Sequence, residues 1–277
     1  MANYGTPIVD MSSQLLILTL AACAVAAAQR GLTFHAGFDG TTDASVAKGD
    51  KRLYTAPNYK AQSEATPGLG NPDVEIAKGA GRKGDALRFK KKNQHAIFYK
   101  AEKNVAFDAR NWTGTISFWL RLDPDKELEP GFCDPIQVTD KAYNDSAIWV
   151  DFTKDERPRH FRLGVFGALA SWNPENVPTD KTPKFASRLV AVTKPPFTAD
   201  KWVNVTITYS GLGSGKGRAQ LYLNGKSMGA AADIAEKLEW DISKAAIRLG
   251  VNYVGLFDEL SVYNRELTDA EIGKLAR

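Results

Sequence analysis

The chain has 277 residues, 43% of them hydrophobic and 25% charged, with a formal net charge of +4. Lysine and arginine are scattered apart from the run Arg88-Phe89-Lys90-Lys91-Lys92. A nucleic-acid footprint is denser and confined to one face, so nucleic acid is excluded as the expected partner. Of the two cysteines, Cys23 falls in an apolar leader and leaves Cys133 alone in the rest of the chain; with no internal disulfide to form, stability must come from packing.

Residues 15–28 (LLILTLAACAVAAA) are an apolar run too short to span a bilayer, which suits the hydrophobic region of an export signal. Ala26-Ala27-Ala28 has the small-x-small form of a cleavage site, so residues 1–28 read as a signal peptide and 29–277 as one exported domain, with Met11 as an alternative start. Leu20-Ala21-Ala22-Cys23 offers the other exit, a lipobox that would leave Cys23 lipidated and the protein anchored to a membrane. The segment before the run carries no lysine or arginine, a departure from both patterns.

In chain order, residues 32–38 form the first strand and Asp39-Gly40 turns it. Residues 41–83 are polar, with weak periodicity, and read as a long loop with short strands. Residues 86–89 and 96–99 read as a hairpin around 90–94. In residues 115–122, Ile116, Phe118, Leu120 and Leu122 alternate with Thr115, Ser117, Trp119 and Arg121, the period of a half-buried strand. Residues 123–135 read as a loop, with Cys133 an unpaired thiol in it. Residues 147–153 and 161–166 are further strands: Trp149 and Asp151 share the non-core side of one, and Arg162 that of the next. Residues 168–184, with Trp172 and several prolines, read as a long surface loop, and 188–192 as a short strand. Residues 202–209 and 218–223 alternate again, with a glycine-rich turn between them, so they form a hairpin. Asn224-Gly225 supplies a second turn, 256–263 the last strand, and Thr268 with Glu271 a capping box for a short terminal helix. About a dozen strands and no four-turn helical period predict an all-β fold, two antiparallel sheets packed as a sandwich.

Several motifs carry a resemblance. Trp202-Val203-Asn204-Val205 is followed by Leu221-Tyr222-Leu223-Asn224-Gly225-Lys226, and the chain closes on Asp258-Glu259-Leu260-Ser261-Val262-Tyr263-Asn264-Arg265. Phe38-Asp39-Gly40, Gly84-Asp85-Ala86-Leu87-Arg88-Phe89 and Ile116-Ser117-Phe118-Trp119-Leu120 precede them. In this order the stretch from about 32 to 276 resembles a laminin-G-like jelly roll of the concanavalin A-like lectin/glucanase superfamily. The resemblance implies one structural calcium ion shared by Asp39 and Asp258, with Asp43, Asp50 and Glu259 as lesser candidates; backbone carbonyls and water would complete its shell.

Sugar recognition is the second expectation. Trp119, Arg121, Trp149, Asp151, Arg162 and Tyr222 all lie on the non-core side of their strands, and if those strands are neighbours they make one aromatic and polar face for pyranose rings. The competing reading is that loops cover the face and the tryptophans are packed.

Catalysis is not expected. Glucanases of the superfamily place E-x-D-x-x-E on one strand. The nearest string here, Glu239-Trp240-Asp241-Ile242-Ser243-Lys244, has lysine where the second glutamate belongs, whereas a retaining mechanism needs two close carboxyls. His35, His95 and His160 have no metal-ligand spacing, and Gly211 to Gly217 lacks the residues of a phosphate loop. The reading is an exported, non-catalytic module that binds a glycan or cell-surface polymer. The alternatives are a glycoside hydrolase with an atypical site and an adhesive envelope protein that binds proteins.

Overall fold

A computed structural model describes residues 30–277; the leader, with Cys23 and both exits, lies outside the described residues. The strands in chain order are β1 (Leu32–Ala36), β2 (Val46–Ala47), β3 (Leu53–Ala56), β4 (Thr66–Pro67), β5 (Val74–Ala77), β6 (Ala86–Phe89), β7 (Ala96–Lys100), β8 (Trp112–Arg121), β9 (Cys133–Thr139), β10 (Ala147–Phe152), β11 (Phe161–Phe166), β12 (Leu189–Val192), β13 (Val203–Leu212), β14 (Gly217–Leu223), β15 (Lys226–Ile234), β16 (Ala246–Val251) and β17 (Gly255–Tyr263). They form two antiparallel sheets. The nine-stranded sheet runs β15-β14-β13-β8-β17-β1-β2, with β6 beside β17 and β5 beside β6; the eight-stranded sheet runs β12-β11-β10-β9-β16-β7-β3-β4. The chain's ends meet as expected: His35 pairs with Ser261 and Ala36 with Leu260. Among the described residues, no helix is long and apolar enough to cross a membrane.

The alternation read from the sequence builds the core. Ile116, Phe118 and Leu120 face inward from one sheet, and Ile148, Val150, Leu163 and Val165 from the other, all buried in one cluster. Each such side chain contributes roughly 1.5–3 kcal/mol on burial. Phe118 stacks on Phe257 at 5.0 Å. Thr268 caps the final helix, Asp269–Leu275, and Glu271 closes the capping box.

Three local expectations fail. Residues 86–89 and 96–99 are not a hairpin: β6 pairs with β5 and β17 in one sheet, while β7 pairs with β3 and β16 in the other. The short link between them crosses from layer to layer, a jelly-roll connection that local pattern cannot distinguish from a turn. The supposed loop 123–135 holds a helical turn, Pro124–Glu127, capped by Asp123, and the start of β9. Cys133 is therefore not a loop thiol; it is wholly buried in the core, and burial pushes its thiol up to about 11. The loop 168–184 is largely helical turns, Leu169–Trp172 and Thr179–Lys181, and a further helix begins at Pro183.

Candidate ligand-binding groove

The six residues expected to form one face are divided between two. Trp119, Arg121 and Tyr222 belong to the nine-stranded sheet, Trp149, Asp151 and Arg162 to the eight-stranded one. Alternation identifies the side of a strand but not the sheet that holds it, and that is why the single face failed. On the outer side of the nine-stranded sheet Trp119 and Tyr222 are themselves covered. The Arg82 guanidinium lies over Trp119 at 4.7 Å and Arg121 over Trp202 at 5.2 Å. Tyr222 is buried under the terminal helix and its hydroxyl donates to Asp269 at 2.9 Å.

The other three residues stay together. On the outer face of the eight-stranded sheet, Trp149 pairs with Gln137 on one side and Gly164 on the other, and Asp151 pairs with Arg162. Two segments cover the ends of this face. Residues 57–65 lay Tyr59 over Arg248 at 5.2 Å. Residues 169–185 pack Trp172 and Phe185 on Phe166 at 5.1 Å each. Beside the second segment lies a cleft of about 880 Å³, lined by Phe132, Asp134, Gln137, Tyr143, Trp149 and Arg162 among others, within the usual size range of small-ligand sites.

The floor is rigid. Trp149 is 2% exposed, so it is not an open stacking platform. Its indole lies over Gly164, where a β-carbon would come within 2.2 Å of the ring, and stacks on Phe166 at 5.9 Å. Its Nε1 donates to the Tyr143 carbonyl at 2.6 Å. The Arg162 guanidinium sits between Phe132, at 5.0 Å, and Trp149, at 5.6 Å. Nε and Nη2 of Arg162 donate to the two oxygens of Asp151, a fork that fixes both groups.

Four contributors were missed by the sequence reading: Phe132, Asp134, Gln137 and Tyr143. Asp134 is the instructive case. Counting back by twos from Val138 and Ile136 puts Asp134 in the core. An irregularity opposite Asp151 instead turns both Cys133 and Ile136 inward and leaves Asp134 on the outer face. Gln137 donates to its Oδ2, while Oδ1 has no hydrogen-bond partner among the described residues, and the residue lines the cleft. Burial first, then the neighbouring Asp151 carboxylate, pushes Asp134 up to about 8. Burial pushes Asp151 up as well. Arg162 is forked onto Asp151, which favours Asp134 as the protonated member of the pair. Phe132 and Tyr143, at 42% and 43%, are the exposed large hydrophobic residues among the described ones, and both rim this cleft.

Asp39 and Asp258 flank a loop at the sandwich edge. Asp258 accepts from the backbone N–H groups of Arg82 at 2.7 Å, Lys83 at 3.3 Å and Glu259 at 2.8 Å. Burial raises it to about 7 against the pull of those donors. Asp39 accepts from Asp85 N–H at 2.8 Å, and Lys83 Nζ pairs with Glu259 at 2.9 Å. Calcium asks for six to eight oxygens. Here the Asp258 oxygens face N–H donors, and the Lys83 ammonium stands beside Glu259. As these side chains stand, both oxygens of Asp258 are taken by backbone N–H groups rather than turned to a site shared with Asp39.

A sandwich with these crossovers and a groove on one outer face defines a jelly-roll domain of the lectin and glucanase type. The chain belongs to the concanavalin A-like lectin/glucanases superfamily: a laminin G family model of that superfamily matches residues 94–273. No curated protein matches the sequence. Among solved structures the chain is similar to domain 4 of AbnA, a GH43 extracellular arabinanase from Geobacillus stearothermophilus, in complex with arabinotriose (17% identity, TM-score 0.54, covering 89% of this chain and 98% of that one). It is also similar to the binding domain of botulinum neurotoxin DC in complex with SialylT (12%, 0.55, 90% and 52%) and to the receptor-binding domain of botulinum neurotoxin D (10%, 0.57, 90% and 53%). The chain thus spans about half of each neurotoxin fragment. At these identities the likeness establishes the fold alone.

Proposed function

We propose that the protein is an exported, non-catalytic module that binds sugar chains in the groove on the outer face of its eight-stranded sheet. The observation that carries this reading is the placement of Phe132 and Tyr143. Both aromatic rings are exposed, both rim one cleft, and both are backed by polar groups already locked in place. Sugar rings present C–H faces to aromatic rings and hydroxyls to fixed hydrogen-bonding groups, so rim and floor match the two sides of such a ligand. The AbnA domain in complex with arabinotriose and the neurotoxin domain in complex with SialylT support the reading from a shared fold.

Hydrolysis is the second reading, favoured by the closeness of Asp134 and Asp151. Against it, both oxygens of Asp151 are held by Arg162, which leaves no free carboxylate to act as nucleophile or base opposite a protonated Asp134. A glycan array tests the proposal. Binding is expected, should survive EDTA, and should fall about two- to tenfold in Phe132→Ala and in Tyr143→Ala, the cost of one aromatic contact. Silence across the array with capture of a protein partner would replace this reading with an adhesive one. New reducing ends that vanish in Asp134→Ala would replace it with hydrolysis.

A further inference from the structure

Resting on that reading, we propose that the groove selects acidic sugar chains, those bearing carboxylates of the uronic-acid class, over neutral ones. The argument is an inventory of charge at the cleft. Its two described acids are both neutralised. Asp151 is closed in a fork with Arg162, and its side chain is only 5% exposed. Asp134, 8% exposed, keeps a proton because burial and Asp151 both oppose its ionisation.

Among the described side chains the cations remain available. Arg162 spends Nε and Nη2 on Asp151, but Nη1 has no hydrogen-bond partner among the described residues and is not sealed from the cleft. Lys154 reaches over Phe132 at 5.8 Å. Its contact with Asp155, at 3.3 Å, joins two side chains that are 51% and 76% exposed, and such a pair is weak. Lys181 is exposed on the facing wall of the same cleft.

A carboxylated ring on the Phe132 rim would thus meet a free guanidinium N–H, two ammonium groups, and in Asp134 a neutral acid able to donate to it. A neutral ring gains the aromatic contact but not the ion pairs. The groups facing Asp134 are Asp151 from β10 and Arg162 from β11, with Gln137 and Cys133 on its own strand; Tyr59, stacked with Arg248 of β16, acts from further off. Glu156 acts more remotely, on Asp151 and Arg162.

Calorimetry on the full chain decides the matter, with trimers of galacturonate, glucuronate and guluronate set beside maltotriose, cellotriose and arabinotriose. At about pH 6 at least one uronate trimer is expected to bind about tenfold or more tighter than every neutral trimer. That margin should shrink at about 1 M salt, where charges are screened within about 3 Å, and in a Lys154→Ala/Lys181→Ala double variant, whose exposed sites do not threaten folding. Raising the pH to about 9 ionises Asp134 and should weaken uronate binding, whereas Asp134→Asn, which keeps the shape and cannot ionise, should resist that loss. Neutral trimers bound as tightly as uronates, through Phe132, would overturn acidic selectivity and leave the sugar groove standing. No binding of either class would overturn both. Uronate binding that Phe132→Ala does not touch would move the site elsewhere and overturn the proposal as well.

Discussion

At the scale of single residues, the groove depends on one missing side chain. Gly164 has no β-carbon, and the Trp149 indole occupies that space. Gly164→Ala should cost about 1–3 kcal/mol, the usual cost of overpacking. Because Trp149 holds the Tyr143 carbonyl through Nε1, the displaced ring should also shift one rim of the groove. Urea unfolding followed by tryptophan fluorescence would report the first effect, and sugar titration the second. An unchanged unfolding midpoint would show that the indole has other room. Trp149 itself was legible in the sequence, since alternation puts it on the outer side. Its role was not. Whether an outward aromatic is a platform or a buried support depends on what lies across it, and Phe166, Gly164 and Arg162 are all contributed by a neighbouring strand whose register only the fold fixes.

At the scale of elements, the strands that alternate cleanly, β8, β10, β11, β13 and β14, were readable from period two alone. β9 was not, because Pro135 and the irregularity beside it break the period where Asp134 turns outward. The segment leading into β9 is instead held by Arg159, which is 1% exposed. Its guanidinium donates to the carbonyls of Leu128 at 3.1 Å, Glu129 at 2.8 Å, Gly131 at 2.9 Å and Thr153 at 3.2 Å. Phe132 follows directly, so one buried fork sets the position of the exposed ring. Arg159→Lys keeps the charge but lacks the planar geometry and leaves buried carbonyls without donors. It should cost about 2–3 kcal/mol by that count and weaken sugar binding more than Lys154→Ala does. Equal sugar affinity in Arg159→Lys and the parent protein would show that Phe132 is held by other contacts.

At the scale of the whole molecule, the sandwich and the meeting of its ends were legible because β1 and β17 carry distinctive motifs; the division of strands between sheets was not, because a crossover and a hairpin look alike locally. The structure also sets a pH dependence. Asp134 is held protonated in the fold up to about 8, whereas unfolding returns it to the ordinary value of 3.8. Between those values the folded chain binds more protons than the unfolded one, so this group makes stability fall as pH rises through that window, with no further change above it. The effect is on the order of 1–3 kcal/mol after allowance for coupling to Asp151. Urea midpoints at about pH 5 and pH 8 should differ in that direction, and Asp134→Asn should flatten the difference; an undiminished slope in the variant would assign it to other acids. Finally, the first and last described residues lie on one side. Arg30 and Arg277 are tied by their carbonyls to Arg265 and Arg82, both on the layer that backs the groove rather than bears it. A dye joined through Arg277 would therefore lie on the layer opposite the groove.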